Sequence, residues 1–329
     1  MFYIGPYKIE SKALLAPMAG ITDRPFREIC RSMGAGLTTS EMVASAPQLR
    51  KTSKTQQRLV FADNELPRSV QIVGADALKL VDAAKFCVEQ GAQIVDINMG
   101  CPAKKVCNVY AGSALLKDER LVAEILKSVV NSVDVPVTLK TRTGWDRKNK
   151  NIKSIAKIAE DSGIAALAIH GRTRECAYKG KAEYDSIAEV KSLIDIPLIV
   201  NGDIDSVSKA KEVLDYTKAD AVMIGRAAQG NPWIFREINE YLVSGLKLPR
   251  PSLDERQKVL INHLQQLYAF YGERKGLRIA RKHINWYCHE IKGFSCFRKT
   301  INQLESASEQ LTQVNNYFCQ STNEGEKAA

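Results

Sequence analysis

Before residue 230, eight short apolar, β-branched runs recur, each followed by a turn and a stretch with helical spacing. They are Leu14–Ala19, Gly36–Met42, Ser69–Val73, Ile94–Met99, Val137–Arg142, Ala166–His170, Leu198–Asn201 and Ala221–Ile224. Strand alternating with helix builds a parallel sheet, and eight such units close it, so the pattern predicts an α/β fold of the (β/α)8 TIM-barrel type. The segment 76–90 reads as a helix with Asp76 as N-cap, Gly91 as stop, and Leu78, Val81, Ala84 and Val88 on one face. Segments 117–131, 152–162, 184–194 and 206–215 show similar spacing, whereas 50–62 is polar and predicts an irregular loop with a short helix.

After about residue 245 the alternation stops. Gly245 and Pro249-Arg-Pro251 read as a linker, and helices near 253–271, 276–292 and 295–318 would form a small C-terminal all-helical domain. A chain of 329 residues exceeds what one hydrophobic core usually serves, which favours this division into a barrel (1–244), a helical domain (245–320) and a disordered polar tail (321–329). The formal charge is +10, and residues 245–320 hold twelve Lys or Arg against six Asp or Glu, +6 of that total. A polyanionic partner is expected. No apolar run approaches the roughly 20 residues needed to span a bilayer, and the N-terminus lacks the pattern of a secretory signal, so a cytoplasmic protein without a membrane partner is expected. Eight cysteines without CxxC spacing indicate neither a disulfide framework nor a metal site. With no apolar stripe left over, a monomer is expected.

Active sites of such barrels are built at the carboxyl ends of the strands. Two of the last loops, Asn201-Gly202-Asp203 and Gly225-Arg226, combine glycines that allow close approach with an arginine that can fork onto a phosphate. Lys140, Gln71 and His170 would point into the mouth and offer donors to a ring rich in oxygen and nitrogen. Cys101, fenced by Gly100 and Pro102, would face the mouth as nucleophile or proton donor. Cys30 and Cys87 fall on helices and read as small buried hydrophobes.

Several motifs in one order resemble the bacterial tRNA-dihydrouridine synthase family, most closely its B-type subgroup. They are Ala16-Pro-Met-Ala-Gly-Ile-Thr-Asp23, Asp96-Ile-Asn-Met-Gly-Cys-Pro-Ala-Lys-Lys-Val106, Ala111-Gly-Ser-Ala-Leu-Leu116, His170-Gly-Arg-Thr173 and Asn201-Gly-Asp-Ile204. The resemblance runs from about Ile4 to Phe318. It implies an FMN site at Pro17, Met18, Ala19, Gln71, Lys140, His170, Asn201, Gly202, Asp203, Gly225 and Arg226, and Cys101 as general acid. It places Asn98 near flavin and base, and Arg142 or Arg172 near the RNA. The implied reaction reduces a D-loop uridine of tRNA, position 17, to dihydrouridine, with NADPH as electron source. Arg278, Arg281 and Lys282, preceded by Arg274 and Lys275, share a helix face, with Trp286 and Tyr287 following, and resemble the family's helical RNA-binding surface. Cys107-Asn-Val-Tyr110 departs from residues more often polar or basic in the family. A flavin barrel acting on a free pyrimidine would leave the basic tail unexplained, and a non-catalytic tRNA-binding module would take up no flavin.

Overall fold

The computed structural model describes residues 1–327, with side chains through Ser321. A hairpin of β1 (Phe2–Ile4) and β2 (Tyr7–Ile9) precedes the barrel. Eight parallel strands follow: β3 (Ala13–Leu15), β4 (Val43–Ala44), β5 (Ser69–Val73), β6 (Ile94–Met99), β7 (Val137–Arg142), β8 (Ala166–His170), β9 (Leu198–Asn201) and β10 (Ala221–Ile224). Their order is β3-β10-β9-β8-β7-β6-β5-β4. Residues 36–40 close the ring: Gly36 N–H donates to Ala13 O and Leu15 N–H to Leu37 O, both at 2.9 Å, and Ser40 N–H to Ser69 O at 3.0 Å.

The last six strands match the expected bounds. The first is shorter than Leu14–Ala19 because Pro17 has no N–H to give and Thr22 Oγ1 takes that of Met18 at 3.0 Å. The second, expected at Gly36–Met42, holds only isolated bridges at Thr38 and Thr39, and the regular strand β4 lies just after it at Val43–Ala44. There the side-chain hydroxyls bond as well, Thr38 to Glu65 and Thr39 to Ser69, its bridge partner. The hairpin was not expected. Its Phe2, Ile4 and Ile9 pack with Leu14, Ile94, Ala166, Ile199 and Ala221 and plug the amino-terminal end of the barrel, so the opposite end is the open one.

Helix Ala77–Glu89 starts at Asp76, whose carboxylate accepts from Lys79 N–H, as read from sequence. Its buried face is different: Ala77, Leu80, Ala83, Ala84 and Cys87 face the sheet, while Leu78 is 81% exposed. Both faces satisfy helical spacing, and the small residues win because they let the helix approach the strands closely. Residues 50–62 hold one short helix, Ser53–Arg58.

Beyond helix Ile234–Ser244, Gly245 takes a left-handed conformation (φ 75°) and the chain passes to four helices rather than the expected three: Leu253–Tyr271, Glu273–Cys288, Phe294–Gln303 and Ala307–Lys327. The expected helix 295–318 breaks at 304–306, where Ser306 Oγ accepts from Glu309 N–H at 3.4 Å. Arg281 Nη2 meanwhile donates to the freed Leu304 carbonyl at 2.9 Å. The Ser306-x-x-Glu309 spacing is a capping-box signal that sequence reading passed over. The tail expected to be disordered at 321–329 continues this helix as far as Lys327, since extending a helix anchored by buried Val314 and Phe318 costs little. The last two residues lie outside the described ones.

The helical part has its own core, in which Leu260, Leu264, Ile284, Phe297, Ile301 and Phe318 pack with Trp233. It docks beside the barrel mouth. Tyr271 Oη donates to Asp23 Oδ2 at 3.0 Å, Lys282 Nζ donates to Gly20 O, and His263 stacks on Phe26 with ring centroids 5.8 Å apart. Asp23 also caps helix Arg24–Ser32, accepting from Phe26 N–H. The stretch Ala16–Asp23 thus joins strand end, helix start and helical domain.

Candidate active site

The carboxyl ends of the strands open onto a cavity of about 1030 Å³. Every residue assigned from sequence to a flavin site lines it, as do Asn98, Cys101 and Arg142. β6 is the fourth strand position around the ring and β10 the eighth, so the Cys101 loop and the Gly225-Arg226 loop stand across the mouth from each other.

On the first wall, register places Gln71 opposite Asp96, Asp96 opposite Thr138, and Asn98 opposite Lys140. Asp96 accepts from Thr138 Oγ1 at 2.7 Å and from Gln71 Nε2 at 2.6 Å. Gln71 Oε1 accepts from Asn98 Nδ2 at 2.8 Å. Asn98 Oδ1 in turn accepts from the N–H groups of Gly100 and Cys101, at 3.1 and 2.9 Å. From the other side, the Ser113 hydroxyl donates to Cys101 O at 2.8 Å and Arg142 Nε to Gly100 O at 2.7 Å. The loop is therefore rigid, and its half-buried thiol faces the cavity. Burial pushes the Cys101 pKa up, against the Ala103 amide that lowers it, so the group is a protonated thiol at neutral pH.

Next around the ring, Lys140 Nζ on β7 donates to Asn201 Oδ1 on β9 at 3.1 Å, and Asn201 Nδ2 to Met223 O on β10 at 2.7 Å. Burial, with Arg142 next, lowers the Lys140 ammonium to about 8, against the pull of Asp96. Burial and then Lys140 and three arginines hold His170 far below the ordinary imidazole value, hence neutral. Arg172 Nη1 lies 3.3 Å from His170 Nε2, and since guanidinium only donates, Nε2 accepts and Nδ1 carries the proton. Gly202, at φ 121°, cannot be replaced without strain, and a Cβ there would meet His170 and Ala182 at 2.9 Å. A Cβ on Gly225 would meet only the Met18 sulfur at 3.8 Å and Ala16 at 3.9 Å, which leaves an open cradle in the wall.

Asp203, which lines the cavity, also holds two arginines. Its carboxylate accepts from Arg172 Nη2 at 2.6 Å, Ala182 N–H at 2.8 Å and Arg226 Nη2 at 3.0 Å. Burial raises its pKa, but these partners outweigh it and the net shift is downward. A carboxylate repels phosphate, so Asp203 is an anchor for the arginines, and Arg226, 58% exposed, is the cation the site can offer.

The arginines expected near RNA divide. Arg142 lines the cavity but is buried, with Nη1 donating to Thr173 O and Ala177 O. Arg172 is buried and spent on Asp203, Lys179 O and Gly180 O. Both clamp loops. On helix Glu273–Cys288, Arg274 and Arg278 are exposed, whereas Arg281 is half-buried on Leu304 O and Lys282 reaches Gly20 at the cavity rim. Tyr287 is buried, because that helix turns it into the core with Trp233.

Two residues escaped the sequence reading. Tyr178, 57% exposed at the mouth, lies 5.5 Å from both the Arg142 and Arg226 guanidinium carbons, on a loop without periodic signal. Asp96 was legible as a carboxylate inside a strand that is apolar but for Asn98. In the departing stretch, Cys107 Sγ sits 3.5 Å from Cys101 O, and Val109 and Tyr110 are 65% and 70% exposed beside the thiol loop. Among the described residues no group of His, Cys, Asp or Glu could hold a metal ion, and no helix is long and apolar enough to cross a membrane.

A family model described as dihydrouridine synthase matches residues 14–323. The chain belongs to the dihydrouridine synthase family. This dihydrouridine synthase is 58% identical over 315 residues to the protein of Vibrio vulnificus named tRNA-dihydrouridine synthase B, covering 96% of this chain and 98% of that one. It is 55% identical over 322 residues to the protein of that name in Pseudomonas aeruginosa, covering 98% and 97%. Among solved structures it is similar to an NCR variant from Zymomonas mobilis, with TM-score 0.54 and 17% identity over 78% of this chain and 93% of that one. Histamine dehydrogenase from Rhizobium sp. 4-9 follows with TM-score 0.53 and 13% identity over 80% and 50%. These two likenesses show the fold.

Proposed function

We propose that this enzyme reduces a D-loop uridine of tRNA, at position 17, to 5,6-dihydrouridine, with FMN as resident cofactor and NADPH as electron source. The observation that carries the reading is that one cavity is lined by Cys101 on one side and the Gly225-Arg226 loop on the other, with Lys140 on the strand beside that of Cys101. The donor set fits a flavin phosphate: Arg226 supplies charge, and Gly225 leaves open space at the wall. Lys140, Gln71 and neutral His170 offer donors of the kind an isoalloxazine edge takes.

When bound and reduced, the flavin supplies hydride to C6 of the base. Cys101 delivers the proton to C5 and is left as a thiolate that water reprotonates. Burial suits it to this, because a raised pKa keeps the proton in place until the base arrives. Asn98 and Arg142 border the same space, where the N–H groups they do not spend on the protein can meet the uracil carbonyls. Lys140, cationic below about pH 8, opposes negative charge on the ring edge it faces. A uridine reaches this depth only if turned out of its stack, which calls for a docking surface beside the pocket. Arg274 and Arg278, exposed on the helical domain next to the mouth, are the phosphate contacts.

Dihydrouridine mapping in tRNA from cells lacking the gene tests this. Loss at position 17, restored by wild type and not by Cys101→Ala, is the expected result. No lost site in the deletion, or full rescue by Cys101→Ala, contradicts it.

A further inference from the structure

We infer that Asp96 is a positioning residue that sets the polarity of a hydrogen-bond relay ending at the Cys101 loop. The relay is built from in-register neighbours on β5, β6 and β7: Thr138 and Gln71 donate to Asp96, Asn98 donates to Gln71, and Gly100 and Cys101 donate to Asn98. Two of its members are side-chain amides, which can turn end for end at little cost in shape. An ionised carboxylate only accepts, so Gln71 must present its NH2 to Asp96 and its oxygen to Asn98. Asn98 must then present its NH2 to Gln71 and its oxygen to the two backbone N–H groups. One buried charge thus dictates both amides, and the outer one holds the loop that carries the thiol.

Asp96 itself is 6% exposed and is not among the residues lining the cavity. It acts through Gln71 and Asn98, which do line it. Burial raises Asp96 to about 6, against the Thr138 and Gln71 hydrogen bonds and the facing Lys140 ammonium, so it is ionised at neutral pH. Asp96→Asn keeps size and shape but carries an NH2 of its own. Turned toward Gln71, that NH2 reverses the relay and sets an Asn98 donor against the Cys101 N–H. Moving the acceptor-only group one place along, in Asp96→Asn with Gln71→Glu, restores the polarity at Asn98.

The inference rests on the proposed RNA reaction for its kinetic consequence, so the experiment has two readouts. In anaerobic stopped flow, per bound flavin, Asp96→Asn is expected to slow reoxidation by tRNA at least tenfold with KM changed less than threefold. The double variant is expected to recover at least half of that loss on a logarithmic scale. A single variant as fast as wild type, or a double variant no faster than the single, overturns the relay. The second readout needs no RNA and no variant: the side-chain amide protons of 15N-labelled Gln71 in the wild-type holoenzyme. Protection from exchange at least a hundredfold above an exposed glutamine is expected, and exchange at the exposed rate overturns the relay. A wild-type enzyme that fails to reoxidise on tRNA while Gln71 is protected sinks the substrate reading and leaves the relay standing.

Discussion

Asp203→Asn is expected to destabilise the barrel by about 3–5 kcal/mol, while Arg226→Ala, which breaks an ion pair to the same carboxylate, costs at most about 1 kcal/mol. The contrast comes from exposure. Arg172 has a side chain 2% exposed and meets Asp203 at 2.6 Å, so neutralising the acid strands a buried guanidinium. Arg226 is 58% exposed at 3.0 Å, and water solvates it once the pair is broken. Calorimetry on flavin-free protein reads the difference: at about 2–4 °C per kcal/mol for a domain of this size, Asp203→Asn lowers the melting temperature by about 6–20 °C. Arg226→Ala lowers it by no more than about 4 °C. On the proposed reading the functional ranking is opposite: Arg226 is the cation offered to phosphate, so its loss is expected to weaken FMN binding roughly ten- to hundredfold. An Asp203→Asn protein melting within 2 °C of wild type, or an Arg226→Ala protein melting equally low, would refute this account of the wall.

Three further outcomes follow from the same geometry. His263 and His283 are fully buried, 4.3 Å apart, and none of their ring nitrogens has a partner; burial holds His263 at about 3 and His283 well below the ordinary value. A depressed folded value means that the unfolded chain takes up protons first, so stability present above about pH 6.5 is lost as pH falls, by roughly 1–2 kcal/mol per pH unit for each imidazole. The urea midpoint of wild type should therefore fall more steeply between pH 6 and 4 than that of His263→Leu with His283→Leu. Both proteins keep Asp23 and Asp96, whose raised values act the other way, and parallel slopes would refute the reasoning. Arg274→Ala with Arg278→Ala should raise the KM for tRNA several-fold and reduce its salt dependence by about two ions, with the rate of flavin reduction by NADPH unchanged; an unchanged salt slope counts against the surface. Glu65→Gln leaves the fully buried Arg27 charge without its carboxylate and should cost about 3–5 kcal/mol by urea unfolding, whereas a cost below 1 kcal/mol contradicts the buried pair.

Six of the eight barrel strands were legible to the residue because β-branched runs bounded by turns carry their own limits. The N-terminal hairpin was not, since three-residue strands show no period, although Gly5-Pro6 marks its turn. Within the cavity lining, Gly202, Gly225 and Cys101 were legible because each stands in a loop directly after a strand. Arg142, Arg172 and Asp203 did not declare their roles: a charged residue at a strand end reads alike whether it meets solvent or is locked under a loop. Arg281, Lys282 and Tyr287 show the same limit. Helical spacing puts them near one another, but only the packed partner decides which way that helix faces.

The most direct test of the thiol and flavin facing one another is a single anaerobic turnover, in which FMN-loaded enzyme reduced with one equivalent of NADPH is mixed with tRNA lacking dihydrouridine. Wild type should reoxidise as the tRNA gains one dihydrouridine per flavin, and Cys101→Ala should do so at least a hundredfold more slowly while accepting electrons from NADPH at the wild-type rate. Equal reoxidation rates in the two proteins would contradict the role given to Cys101.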